Sequence, residues 1–351
     1  MSKDRLFFMK KIRFVIVGCG AIAKAHLQAI ALSEHAEVTV LVDKVLPRAQ
    51  QLGSSFQVSK TVRDYQESMG NVDAAIVALP HHLHSQVTTD LLQNGIHVLV
   101  EKPLALNTGQ CDAMIKAAKA SKAKLAVGLA RRFFDSSRFV KQVIESQMLG
   151  DIISFDFHEG IIYKWPIMSD FAFRKETGGG VLADIGVHIL DLLLWWLGDY
   201  DSFEYYDDAM GGVEADCELH LKLKSGATGF VQLSRTRDLR NSCIIQGERG
   251  RLEIETTFNS QIKLKINDQS MNLTGLAISE GMAEESADDI FSRQLEDFVG
   301  AIHHNRQPFI PGEEGKRTVQ LIQTCYNLRQ PLKYPWISLD STKDLKVQIE
   351  S

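Results

Sequence analysis

Ile12-Arg13-Phe14-Val15-Ile16-Val17, followed at once by Gly18-Cys19-Gly20-Ala21-Ile22-Ala23, decides the fold. The first six residues are an apolar run broken only by Arg13, as in a strand covered on both faces of a parallel sheet. The next six carry the spacing GxGxxA. Gly18 permits a tight turn, Gly20 lets the backbone approach a ligand closely, and the small Ala23 lets a helix pack near the strand. The helix that opens here offers free N–H groups and the positive end of its dipole, which suits the pyrophosphate of a dinucleotide. A plain glycine turn is the competing explanation, and the flanking strand and helix weigh against it.

Working outward, residues 38–42, 74–78, 96–100 and 124–127 read as further strands. Residues 21–31, 46–52, 85–94 and 109–119 have helical spacing. This alternation predicts an α/β Rossmann fold, a doubly wound parallel sheet covered on both faces, over residues 1–128. Asp43 ends the second strand, at about the separation where a carboxylate accepts hydrogen bonds from the ribose hydroxyls of NAD and repels a 2′-phosphate. Lys44 and Arg48 nearby suit a phosphate, so NADP stays possible beside NAD.

After Gly150 the period changes. Residues 153–157 and 218–224 alternate apolar and polar, and the second run enters the hairpin signal Ser225-Gly226. Residues 230–234, 242–245, 252–255 and 262–266 continue as strands. These predict a C-terminal α+β domain over 129–340 with an open, mostly antiparallel sheet. Phe291, Leu295, Phe298, Val299 and Ile302 mark a late helix, and Val319, Ile322 and Tyr326 another. Both are expected to pack back on the body of the protein.

Two stretches carry candidate chemistry. Glu101-Lys102-Pro103 follows the strand-like run Ile96-His97-Val98-Leu99-Val100, placing a lysine at the carboxyl end of a parallel strand, where α/β folds bind ligands. Thr177-Gly178-Gly179-Gly180 leads into a long apolar helix that carries Asp184, His188 and Asp191. The glycines are expected to give a flexible entry. Asp184 and His188 are i, i+4 and share a helical face, and burying them unpaired would be costly. They satisfy each other and the backbone, hold a metal, or line an active site with His188 as general base and Asp184 orienting it. His81-His82-Leu83-His84 after Pro80 is read as a loop beside the cofactor rather than a metal site, so no metal is expected.

The 351 residues are 44% hydrophobic and 24% charged, with a formal net charge of -5. Two domains are expected from that length. No Lys/Arg block suggests nucleic acid. The five scattered cysteines, without CxxC spacing, read as reduced thiols in a cytoplasmic protein. Met1 to Lys11 followed by a short apolar run only faintly resembles a signal peptide, and Met9 is a possible alternative start. No run reaches the roughly 18 apolar residues of a membrane span, so no membrane partner is expected.

These motifs, in this order, resemble the Gfo/Idh/MocA oxidoreductases. The resemblance includes the glycine turn, Pro80 to His84, and Asn94-Gly95-Ile96-His97-Val98 leading into Glu101-Lys102-Pro103-Leu104-Ala105. It continues through Arg131-Arg132-Phe133, Gly150-Asp151-Ile152, Gly179 to His188, and Gln294-Leu295-Glu296-Asp297-Phe298. It implies a nicotinamide cofactor, hydride transfer at a sugar, sugar acid or cyclitol carbon, and a homo-oligomer (dimer or tetramer) formed through the open sheet. It implies chemistry by Lys102, Asp184 and His188, a position where other members use tyrosine. The expected cofactor residues are Gly18, Gly20, Ala21, Ile22, Asp43, Lys44, Pro80, His84, Glu101 and Lys102. Arg132 (or a structural ion pair there) and Tyr163, Trp165 and Arg174 (or an ordinary surface loop) are the expected substrate contacts. Two alternatives stand: a nucleotide-sugar dehydrogenase or ketoreductase, and a non-catalytic NAD(P)-binding regulator.

Overall fold

A computed structural model describes residues 10–162, 170–256, 261–267, 269–273 and 287–332. The first sheet has six parallel strands: β1 (Ile12–Val17), β2 (Ala36–Val42), β3 (Lys60–Val62), β4 (Ala74–Val77), β5 (His97–Glu101) and β6 (Leu125–Gly128). Their order is β3-β2-β1-β4-β5-β6. The order reverses between β1 and β4, and the crevice beyond the carboxyl ends of these strands is where such sheets bind ligands. Helices α1 (Ala23–Leu32), α2 (Leu46–Phe56), α3 (His84–Gln93) and α4 (Thr108–Ser121) connect the strands. β4 and β6 are buried at every position, which is why they read as unbroken apolar runs. Strand β3 escaped the sequence reading because Lys60-Thr61-Val62 lies at the sheet edge and none of its residues is buried.

The second sheet is mixed and larger. It contains β7 (Ile152–Gly160), β8 (Tyr200–Asp207), β9 (Asp216–Leu223), β10 (Thr228–Ser234), β11 (Ser242–Gly247), β12 (Gly250–Glu255), β13 (Ile262–Ile266), β14 (Gln269–Leu273) and β15 (Gln330–Pro331). The order is β14-β13-β12-β11-β7-β10-β9-β8-β15, antiparallel except at β7–β10 and β8–β15. The remaining helices are α5 (Asp135–Glu145), α6 (Val187–Leu197), α7 (Ala287–His303) and α8 (Gly312–Asn327).

One face of this sheet packs on α6, whose Leu190, Leu193 and Leu194 join Phe157, Leu219, Val231 and Leu233 in one core. A helix apolar all round belongs inside a protein. By length and composition, Lys175–Leu197 is also apolar enough to cross a membrane, which the count of consecutive apolar residues missed; 72% of its most apolar window is buried within the fold. The other face carries a ladder of rings, Tyr206, His220, Phe230 and His158, spaced 4.9–5.8 Å apart across four strands.

The chain then returns to the first sheet. Phe291, Leu295, Phe298 and Val299 of α7 share a core with Phe14, Ile16, Leu27 and Leu99. Val127 N donates to Ile310 O at 3.0 Å, and α8 starts against β6. A Cβ on Gly315 would lie 2.8 Å from Val127, so α8 approaches the sheet as closely as glycine permits.

Candidate active site

The glycine turn joins β1 to α1 above the switch point. Gly18 has φ +101°, and a Cβ there would lie 2.3 Å from the carbonyl oxygen of Ala78. The fold therefore requires glycine at this position. Gly20 is different: a Cβ there would meet nothing within 4 Å. Packing gives no reason for its glycine, whereas a ligand lying against the backbone does. Helix α1 has no side-chain cap and no acidic residue in its first turn, so its N-terminus is open to an anion. Asp43 stands beside the turn, its Oδ2 accepting from Cys19 N at 2.9 Å and its Oδ1 from Val45 N at 2.7 Å. These residues fit a dinucleotide.

At the carboxyl end of β5, Lys102 reaches across to the second sheet's helix. Its Nζ donates to Asp184 Oδ1 at 2.8 Å and to the Asp184 carbonyl at 2.9 Å. Asp184 lies in a π turn, Leu182–Gly186, that precedes α6; such turns often occur at functional sites. Asp184 Oδ2 accepts from Arg235 Nη2. Burial alone would raise this carboxyl, but the charges of Lys102 and Arg235 outweigh it and hold the group below the usual carboxylate range. An ammonium has three donors, so Lys102 keeps one N–H for another partner.

His188 stands next to this trio, with its Nδ1 buried and without a hydrogen-bond partner among the described residues. Burial first, then the charges of Lys102 and Arg131, pushes the imidazole well below 6.5, so it is neutral near pH 7. Arg131 forms a bidentate pair with Glu159 of β7, at 2.5 and 2.7 Å.

The surroundings hold these groups in place. His84 sets Nδ1 2.8 Å from Pro103 O and Nε2 2.8 Å from Leu79 O, bracing the turn after β5. His81 is buried, and its Nδ1 contacts Gly178 O at 2.9 Å. Burial, reinforced by the charges of Lys102 and His84, lowers its pKa to about 3. At the start of the helix that carries Asp184 and His188, Leu182 N donates to Glu214 Oε1 and Val181 N to Glu214 O, both at 3.0 Å. A carboxylate there complements the helix dipole. The glycines before the helix allow close approach rather than a flexible entry. A Cβ on Gly179 would lie 2.5 Å from Ala172 O, and one on Gly180 2.2 Å from Glu214 Oε1.

Residues 12–129 match the model described as an oxidoreductase family with an NAD-binding Rossmann fold, and residues 137–253 match the GFO/IDH/MocA C-terminal domain. The chain belongs to the Gfo/Idh/MocA oxidoreductase family. Among its relatives, the rhizopine catabolism protein MocA of Rhizobium meliloti is 25% identical over 68% of this chain and 76% of its own length. Myo-inositol 2-dehydrogenase of Thermotoga maritima is 23% identical over 88% of this chain and 94% of its own. Levoglucosan dehydrogenase, solved with NADH, superposes with a TM-score of 0.82 at 18% identity, covering 91% of this chain and 97% of that one.

Against the expectations for a Gfo/Idh/MocA protein, the structure brings Lys102, Asp184 and His188 together and corrects several neighbours. Among the described residues Asp184 makes no hydrogen bond to His188 Nδ1; its two oxygens instead face Lys102 and Arg235. Glu101 turns inward: its Oε1 lies 2.8 Å from His26 Nε2 and its Oε2 accepts from Lys102 N. Arg132 is 2% exposed and donates to Asp191 and Glu314, so the structural ion pair holds there instead of a substrate contact. Arg174 pairs with Asp170 on the surface. Tyr163 and Trp165 lie outside the described residues. Arg235 and Glu214 went unnoticed because each sits singly after a strand or in a hairpin, with no motif around it.

Proposed function

We propose that this oxidoreductase is an NAD(P)-dependent dehydrogenase acting on a hydroxyl or keto carbon of a sugar, sugar acid or cyclitol. The observation that carries this is the meeting of Lys102, at the end of the first sheet, with Asp184, 82 residues on, beside a neutral His188. Two relatives are named for myo-inositol and levoglucosan, which supports the polyol class.

Gly18, Gly20, Ala21, Ile22, Asp43 and Lys44 would hold the dinucleotide at the open end of α1, with Pro80 and His84 shaping the adjoining loop. The bound nicotinamide supplies a hydride acceptor or donor. In the oxidative direction His188 takes the proton of the substrate hydroxyl. The unused N–H of Lys102 and its charge stabilise the alkoxide that develops there. Asp184 anchors Lys102 in that position. Asp43, its carboxylate fixed at the turn, favours NAD over NADP.

We further infer a division near residue 128, with 1–128 serving the cofactor and 129–340 the substrate. The ring ladder on the open face of the second sheet supports assembly into a dimer or tetramer. The five buried free cysteines support a cytoplasmic location.

NADH fluorescence during incubation with a panel of sugars and cyclitols tests the reaction. Turnover on a member of the panel, lost in His188→Ala, is the expected result. Tight NAD binding with turnover on none would favour a regulator and defeat the proposal. A lower Kd for NADP than for NAD would overturn the cofactor preference.

A further inference from the structure

We propose that Arg235 is a positioning residue for this reaction: bound to one oxygen of Asp184, it fixes that carboxylate as the anchor of Lys102 and keeps it off His188. The proposal rests on the dehydrogenase function above. Arg235 directly follows β10 and is 7% exposed. Its backbone N donates to Ala215 O at 2.8 Å, and its Nη1 points to Ala172 O at 3.4 Å. It is therefore clamped at both ends while Nη2 reaches Asp184. The other carboxylate oxygen is held by Lys102.

Two cations, Lys102 and Arg235, thus hold the single carboxylate of Asp184 from opposite oxygens. The charged groups facing His188 are Lys102 from β5, Arg131 with its partner Glu159 of β7, and Asp184 on its own helix. Arg235 stands behind Asp184. An aspartate free to turn would pair with the neighbouring imidazole and favour its protonated form. Arg235 prevents this, so the neutrality that burial imposes on His188 is preserved and Lys102 stays placed beside the alkoxide.

The test compares Arg235→Met, which removes the charge and keeps the length, with Arg235→Lys, which restores it. The His188 titration is followed by NMR on histidine-labelled protein, its signal identified by its loss in His188→Gln. Arg235→Met is expected to move the His188 midpoint up by about one unit or more. The acid limb of kcat/KM should rise with it, while the Kd for NADH stays within about twofold. Arg235→Lys should return both midpoint and limb toward the wild type. An unmoved midpoint in Arg235→Met overturns the proposal, as does a shifted midpoint that lysine fails to restore. Should Arg235→Met not fold, Arg235→Gln carries the same expectations. A wild type that turns over no sugar or cyclitol would defeat the dehydrogenase function alone, since the NMR midpoint still decides the role of Arg235.

Discussion

His26 Nε2, on helix α1, lies 2.8 Å from Glu101 Oε1 at the end of β5. The contact joins the helix that follows the glycine turn to the residue before Lys102. Burial opposes ionisation of Glu101, yet the hydrogen bond and charge of His26, with Lys102, outweigh it and leave its pKa below the ordinary value. Glu101→Ala leaves His26 buried without its partner and should cost about 3 kcal/mol or more, with Glu101→Gln costing less. Because the folded pKa lies below the unfolded one, this contribution is present above about pH 4.5 and is lost as pH falls through the folded value. Denaturant midpoints measured from pH 7 down to pH 3 check it: the wild type should lose stability on acidification, and Glu101→Gln should lose less.

The two glycines of the turn should respond oppositely to alanine. Gly18→Ala forces a Cβ into Ala78 O and a left-handed φ, and should destabilise the fold by more than about 1 kcal/mol. Gly20→Ala meets only open space. Its Tm should stay close to the wild type while the Kd for NADH rises. An unchanged Kd in Gly20→Ala would show that no phosphate lies against that backbone.

His188→Ala is expected to lower kcat by about 10²–10⁴-fold with NAD binding retained. The depressed pKa of the imidazole also sets a pH dependence. With neutral His188 as the base in the proposed mechanism, kcat/KM for oxidation should stay level from pH 7 down to below 6.5 and fall only at lower pH. A limb centred above pH 7 would sink the assignment. Lys102→Ala retaining full turnover would remove the other half of the mechanism.

Glu214 caps the helix that carries Asp184 and His188 from a distant hairpin, and it also accepts from Tyr326 OH at 2.9 Å. Glu214→Ala removes the cap and leaves a buried hydroxyl and backbone N–H unpaired. A loss of about 2 kcal/mol is expected in thermal or chemical unfolding. Glu214→Gln keeps an acceptor oxygen and should recover part of it.

Most of the first sheet was legible because its inner strands are buried on both faces and its glycine turn is a local pattern; the exposed edge strand β3 was not. The helix of the candidate site was legible because Asp184 and His188 are conspicuous in an apolar stretch. What escaped is what depends on distant contacts. The i, i+4 spacing suggested that Asp184 serves His188, and only the position of Arg235 after β10 shows the carboxylate claimed elsewhere. Strand β8, read as Tyr200-Asp201-Ser202-Phe203-Glu204-Tyr205-Tyr206-Asp207, lacks a clean alternation because its acids lie among its rings. The glycines before the helix looked like a hinge until Ala172 and Glu214 appeared against them.

The return of α7 to the first sheet has a consequence for biosynthesis. Helix α1 covers part of its apolar surface with Phe291, Leu295 and Phe298, residues that leave the ribosome only after the whole of β7 to β13 has been made. The half that emerges first must wait with an uncovered flank. Its maturation is thus tied to the completion of the other half, and a ribosome stalled between β6 and α7 would present a chain exposed to chaperones and proteases.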